Sequence, residues 1–207
     1  MKKKKISVVI PTYNEEANVV PLSQAVIEVM ECDLPEYDYE ILFIDNHSKD
    51  NTQALLRSLC RELGMEWIWP RIFSVYGIYE KETTMVASGL RKMLRGEPTA
   101  FTPAQQRWDY LYSKDAGLAY YLIGERGKDG SVYCVGSGRA RPLYTYIEDM
   151  ARLTGAKETG IGARPYPPNP VMNLCADTEN LCADTGFQPE YTFERGNEET
   201  IQWIQTL

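Results

Sequence analysis

All 15 glycines of this 207-residue chain lie at or after Gly64, so the opening stretch folds entirely from residues that carry a Cβ. That constraint excludes one kind of site. A dinucleotide-binding βαβ unit needs glycines directly after its first strand, because a side chain there holds the pyrophosphate away from the helix N-terminus. Here the first apolar strand, Ile6 to Ile10, runs straight into Pro11-Thr12-Tyr13-Asn14. No early loop can cradle paired phosphates, and no dinucleotide cofactor is expected in this chain.

Periodicity supplies the rest of the fold. Behind the first strand, Glu15 to Glu31 carries Val19, Leu22, Val26, Val29 and Met30 at helical spacing. A second strand, Glu40 to Asp45, leads to a helix in which Asp50 and Gln53 suit a capping arrangement and Leu55, Leu56, Leu59 and Leu63 share a face. Trp67 to Ser74 reads as a third strand, with Pro70 requiring an edge or a bulge. The βαβαβ order predicts a parallel sheet with a crevice at the strands' carboxyl ends. Beyond Gly77 the pattern predicts helices over Thr84–Arg95, Asp115–Ile123 and Leu143–Thr154, and strands over Arg107–Tyr112 and Ser131–Val135. Gly155 to Asn173, rich in glycine and proline, reads as a long irregular loop, and Phe193–Thr206 as a closing helix after a Gly186-Phe-Gln-Pro189 turn.

With 43% hydrophobic and 25% charged residues the chain falls in the soluble globular class, without the uninterrupted apolar length of a membrane span. A net charge of -7 argues against nucleic acid or an anionic membrane as partner. Lys2 to Lys5 form a basic run that reads as a solvated tail, since the apolar stretch behind it stops at Pro11. Five scattered cysteines without a C-x-x-C pair suit reduced thiols, and a cytoplasmic location is expected. His47, the only histidine, has no ligand-spaced neighbour, so no metal site is expected.

Residues Ile6 to Glu16, ISVVIPTYNEE, and Ile41 to Thr52, ILFIDNHSKDNT, resemble the first two strands of family 2 glycosyltransferases, which adopt the GT-A fold. The resemblance implies that Thr12, Tyr13 and Glu15 contact the nucleoside and that Asp45 accepts a hydrogen bond from the base. Such an enzyme also needs an Asp-x-Asp metal site for the diphosphate, and none occurs in the chain. Asn46 and Lys49 stand where that second loop usually carries Asp and Thr or Asp.

From about Trp67 onward the chain resembles the NAD-dependent epimerase/dehydratase family, extended short-chain dehydrogenases acting on nucleotide sugars. The carrying segments are Arg71-Ile-Phe-Ser-Val-Tyr-Gly77, Gln106-Arg-Trp-Asp-Tyr-Leu-Tyr112, Val132-Tyr-Cys-Val-Gly-Ser-Gly138 and Gly186-Phe-Gln-Pro189. The resemblance implies a substrate lobe in which Ser74 faces the nucleotide sugar and Arg107, with Arg164 from the proline-rich loop, pairs with the diphosphate. That family's catalytic Tyr-x-x-x-Lys sits on a helix. The one literal match, Tyr110 and Lys114, starts in a predicted strand, where four residues separate side chains by about 13 Å, so no catalytic residue is assigned. Gly136-Ser-Gly138 and Gly160-Ile-Gly162 read as turns.

The sequence therefore predicts an α/β chain: a parallel Rossmann-like βαβαβ sheet followed by a smaller α+β substrate-lobe-like region. The join falls in Leu59-Cys-Arg-Glu-Leu-Gly64, dividing 1–63, glycosyltransferase-like, from 64–207, epimerase/dehydratase-like. The expected partner is a nucleotide sugar, bound with little or no catalysis by this chain alone. Two alternatives are a working enzyme, either a metal-independent glycosyltransferase using Asp45 or an epimerase/dehydratase completed by another chain, and a non-enzymatic interaction subunit. The last would assemble as a homo- or hetero-oligomer through apolar surface left uncovered where strands are missing.

Overall fold

The computed structural model describes residues 3–45 and 48–207 and places the chain in two compact units, Met1–Trp67 and Ile68–Leu207. Lys2, Asn46 and His47, on which parts of the reading above fall, lie outside the described residues. Among the described residues no helix is long and apolar enough to cross a membrane.

The first unit is β1 (Lys5–Thr12), α1 (Val19–Glu28), β2 (Asp38–Asp45) and α2 (Thr52–Leu63). β1 and β2 pair in parallel from Lys5 beside Asp38 to Thr12 beside Asp45. Within the described part of the basic run, Lys5 opens β1 and pairs with Glu40 at 3.0 Å, and Lys3 donates to the Pro35 carbonyl. α1 begins four residues later than its periodicity predicts, because the Glu15 amide is bonded to Thr52 at the start of α2 and the Glu16 amide to Asp50 in the loop before it. It runs on as a π-helical turn, Val29–Asp33. α2 closes on Gly64 in the left-handed region (φ 66°), with the Met65 amide reaching the Cys60 carbonyl at 2.8 Å, so the expected join is a regular helix C-terminus. Along β1, Lys5, Ser7, Val9 and Pro11 are exposed while the residues between them are not, so one face of the pair is covered. On the other, Val9 lies beside Leu42 and Pro11 beside Ile44, all four exposed.

The second unit holds β3 (Trp69–Ile72), β4 (Ser74–Tyr76), α3 (Met85–Leu94), β5 (Arg107–Trp108), β6 (Tyr110–Tyr112), α4 (Ser113–Arg126), β7 (Val132–Val135), β8 (Arg141–Pro142), α5 (Leu143–Thr154), α6 (Glu179–Thr185) and α7 (Phe193–Ile204). The parallel α/β character is as the sequence predicts, and the predicted third strand falls almost wholly in the second unit. It forms two short parallel ladders, β3 with β7 and β4 with β6. Period-2 patterning identifies a strand without naming its partner. The Trp69 and Phe73 amides donate to Ser131 and Val135, so Pro70, one residue out of phase, aims its missing donor away from β7. The predicted Arg107–Tyr112 strand is interrupted at Asp109, and β5 pairs antiparallel with β8. α6, with Leu181 and Thr185 as its buried residues, has too little periodicity to be read from sequence.

Alternation along β6 separates two cores. Tyr112 belongs to a cluster with Tyr76, Leu90, Tyr146, Ile147, Met150 and Phe193, whereas Leu111 packs with Ala119, Tyr133, Val135, Leu181 and Phe187. The first is largely aromatic, with the Tyr76 and Phe193 rings 4.8 Å apart and those of Tyr146 and Phe193 4.6 Å apart. α7 approaches it through Gly196, where an added Cβ would meet the Tyr76 hydroxyl at 2.3 Å and the Tyr112 ring at 2.7 Å. Gly196→Ala should therefore lower the unfolding free energy by about 1–2 kcal/mol in urea denaturation, overpacking outweighing the helix propensity gained. Unchanged or increased stability would contradict this packing.

Candidate functional site

In the first unit the loops after β1 and β2 brace each other. Asn14 takes a left-handed conformation (φ 53°); its amide donates to Ser48 Oγ at 2.9 Å and its side-chain oxygen accepts the Lys49 amide at 2.8 Å. The Glu15 amide donates to Thr52 Oγ1 at 2.9 Å, and the Glu16 amide to the Asp50 carboxylate at 3.1 Å. Partial desolvation pushes the Asp50 carboxyl up, but the bonds it accepts from Thr52 and Glu16 hold it below its ordinary value. Of the nucleoside-contacting residues implied by resemblance, Thr12 is buried and donates to the Ile10 carbonyl, and Glu15 accepts from Asn18 Nδ2 at 2.6 Å. Asp45 accepts from the Ser48 amide at 3.1 Å and from Gln53 Nε2 at 2.9 Å, so Gln53 serves Asp45 rather than a capping box. Tyr13 is exposed. A shallow groove of about 510 Å³ nearby is lined by Glu16, Ala17, Asn51, Ala54, Leu55 and Ser58, without a cation.

In the second unit the chain turns at Asp109, which is fully buried. Its carboxylate accepts from the Ser137 amide at 2.9 Å, the Gly138 and Ala176 amides at 3.0 Å each, and the Ser137 hydroxyl. Gly136-Ser-Gly138 is thus a turn, as expected, and one built around that carboxylate. Residues adjacent on a strand leave on opposite faces. Trp108 takes the face toward Ser74, and its indole Nε1 donates to Ser74 Oγ at 2.7 Å. Arg107 is exposed and donates to the Ala140 carbonyl. The proline-rich loop is tied to this strand: the Tyr166 hydroxyl donates to Gln106 Oε1 at 3.0 Å and accepts the Gln105 amide at 2.9 Å, while Arg107 exchanges backbone bonds with Met172 and Leu174. Arg164 lies exposed on that loop, its amide bonded to the Phe101 carbonyl. The structure thus joins Ser74 to Trp108, a residue that sequence reasoning passed over, since a tryptophan between two motif residues reads as core.

Tyr110 and Lys114 are not a relay. Tyr110 lies in β6 with its ring 5.2 Å from that of Tyr146, and burial pushes its phenol well above the ordinary value. Lys114 stands on α4, pairing with Glu199 at 2.6 Å and reaching the Tyr191 hydroxyl at 3.5 Å. A proton relay needs a lowered phenol, the opposite of what burial produces here. Among the described residues no cluster of His, Cys, Asp and Glu could hold a metal ion.

Two family profiles match the chain: Glycosyl transferase family 2 over residues 7–75 and the NAD dependent epimerase/dehydratase family over residues 46–136. The chain carries both resemblances. The matches overlap over 46–75, a span that holds α2, β3 and the start of β4. The dTDP-glucose 4,6-dehydratase of Xanthomonas campestris pv. campestris is 24% identical over 77% of this chain and 48% of its own length. That of Haemophilus influenzae is 23% identical over 75% and 50%. The chain thus spans about half the length of the curated relatives it matches. Among solved structures, a UDP-glucose 4-epimerase of Thermotoga maritima superposes with TM-score 0.69 at 24% identity, over 75% of this chain and 51% of that one. A dTDP-glucose 4,6-dehydratase of Bacillus anthracis gives 0.69 at 16% identity, over 96% and 73%. These likenesses carry the Rossmann-type α/β fold.

The Lys114 hydrogen bond, and those of Tyr112 and Tyr191, hold the Glu199 carboxyl below its ordinary value. With its folded pKa depressed, the stabilisation is complete above the ordinary carboxylate range and fades as pH falls through the lowered value. The melting-temperature gap between the wild type and Glu199→Gln should accordingly be constant near neutrality and shrink in acid. A gap independent of pH would place the tie's contribution elsewhere.

Proposed function

We propose that this chain binds a nucleotide sugar through its second unit and turns it over little or not at all by itself. The observation that carries the second half is the placement of Tyr110 in a strand within an aromatic core, with Lys114 held by Glu199. Support for the first half comes from the epimerase/dehydratase match together with Ser74, Arg107 and Arg164. Neither arginine forms an ion pair among the described residues, and beyond the N–H that Arg107 gives to the Ala140 carbonyl their guanidinium donors are left for a diphosphate. The proposal places the change of family resemblance between 1–63 and 64–207.

A nicotinamide dinucleotide does not fit the residues after β1. The amides of Asn14, Glu15 and Glu16, which would have to face its pyrophosphate, already donate to Ser48, Thr52 and Asp50, and the carboxylate of Asp50 occupies the position of an anion. Glycosyl transfer has weaker support, since Asp45 is engaged by Ser48 and Gln53 and no Asp-x-Asp is present. The interaction-subunit reading keeps one specific observation, the bare face of Val9, Leu42 and Ile44 on a parallel pair, a kind of sheet usually covered on both sides. Light scattering that finds only a monomer at high concentration would remove self-association from that reading.

Calorimetric titration of the purified chain with UDP-glucose, dTDP-glucose and NAD tests the proposal. One or both nucleotide sugars should bind, Arg107→Ala should weaken binding about tenfold, and NAD should give no heat. Binding of NAD, or product formed from either sugar nucleotide, would overturn the reading.

A further inference from the structure

We propose that the strap Gly77–Thr84, which carries the chain from β4 to α3, is a pH-sensitive latch: it closes against the aromatic core while the Glu80 carboxyl is neutral and loosens when that proton leaves. The inference stands apart from the ligand reading above.

Glu80 is half-buried, and its Oε2 is removed from water without a hydrogen-bond partner. A carboxylate in that setting costs free energy that the protonated acid avoids. Its surroundings offer no cation, since Glu80 forms no ion pair among the described residues. From its own strap the Thr84 hydroxyl and the Gly77 amide act on it, although the Thr84 proton is also directed at the Lys81 carbonyl at 3.1 Å. Lys81 and Glu82 are exposed. From β6 the Tyr110 phenol faces it, pushed upward by burial and by the Glu80 charge. α3 brings Arg91, which is engaged with Glu82 at 3.4 Å and lies 5.5 Å over the Trp203 ring of α7. Other charges reach this core at different rings, Asp115 and Glu194 at Tyr76, and Arg141, paired with Asp149, at Tyr146. Burial therefore outweighs the two hydrogen bonds and holds the Glu80 carboxyl above its ordinary value.

Backbone geometry supplies the moving part. Tyr79 takes a left-handed conformation (φ 62°), which strains a residue that has a side chain, and it is 81% exposed, its ring meeting that of Trp203 edge-on at 5.3 Å. Inside the strap the Glu80 amide reaches the Gly77 carbonyl at 3.3 Å and the Thr84 amide the Lys81 carbonyl at 3.1 Å. A strap held by few contacts, one of them a buried acid, is the kind of segment that opens locally. It leaves β4 at the strand's carboxyl end, where a parallel α/β sheet opens its crevice, so loosening it widens access there.

The direction of the pH effect follows from proton linkage. A carboxyl held above its ordinary value in the closed form supports closure fully below the ordinary value, and that support is lost as pH rises through the raised one. Opening should therefore grow with pH by about tenfold for each pH unit by which closure raises the titration midpoint, and level off there.

Two measurements on the full chain, wild type and Glu80→Gln, test the latch. They are carbon-13 titration of the Glu80 carboxyl and hydrogen exchange of the Glu80 and Thr84 amides, corrected for intrinsic pH dependence. The carboxyl should titrate above an ordinary glutamate. Protection of the two amides should fall with pH in the wild type by the factor that midpoint sets, and stay constant within about twofold in Glu80→Gln. The Cys182 and Gly186 amides, bonded to the Thr178 and Cys182 carbonyls, should follow neither curve, which separates the strap from global unfolding. A carboxyl that titrates at or below the ordinary value overturns the latch and leaves the ligand reading untouched. So does protection that ignores pH in the wild type, or that falls equally in Glu80→Gln. Should Glu80→Gln not fold, as judged by circular dichroism, the wild-type curves decide: protection levelling off at the carboxyl's own midpoint supports the latch, and levelling off elsewhere overturns it.

Discussion

A buried carboxylate organises the second unit. Asp109 is fully removed from water and is stabilised by three backbone amides and a hydroxyl that converge on it from two separate segments, the turn after β7 and the irregular stretch at Ala176. Hydrogen bonds to a charged group contribute about 1.5–3 kcal/mol each, and a buried charge stripped of them costs several. The chain therefore cannot place Asp109 anywhere else, and the predicted single strand breaks into β5 and β6 around it. The same contact dictates the neighbouring glycine: an added Cβ at Gly136 would meet Ala176 Cβ at 2.4 Å and Asp109 Oδ2 at 3.0 Å. What resembles a fragment of a phosphate-binding loop is a turn shaped to admit a carboxylate.

Asp115 performs a second, smaller version of this work. Buried at the start of α4, it accepts the Glu190 and Tyr191 amides at 3.0 Å each and so fixes the segment that leads into α7. Around it Tyr112 and Lys114 meet Glu199, and Arg195 lies over the Tyr191 ring at 4.2 Å. The stretch from Arg107 to Asp115 is consequently a docking strip. Its acids hold backbone, its tyrosines fill a core, and Trp108 engages Ser74, so the literal Tyr-x-x-x-Lys within it is divided between a packed ring at Tyr110 and an ion pair at Lys114.

The first unit solves the opposite problem. Built without glycine, its two strand-end loops satisfy the amides of Asn14, Glu15 and Glu16 with Ser48, Thr52 and Asp50. Bracing of this kind stabilises a two-stranded parallel pair that has few other contacts to draw on, and it leaves the Val9 and Leu42 face bare. The overlap of the two family matches across α2 has a physical counterpart, since a helix with apolar Leu56 and Leu59 on one face and a glycine stop at Gly64 serves either context.

The sequence by itself determined the parallel α/β character and the helices whose apolar spacing is strong, α5 with both ends included. It also determined the absence of an early glycine loop, because a missing residue type is visible without a fold. Local periodicity could not say that Trp69–Ile72 belongs with Val132–Val135, that α1 waits until Val19, or that Asp109 would split a strand. Each of those depends on a partner between 28 and 67 residues away in sequence. The Ser74–Trp108 bond is of the same kind, joining side chains 34 residues apart whose polarity becomes meaningful only once tertiary packing has brought a donor-only indole against a hydroxyl.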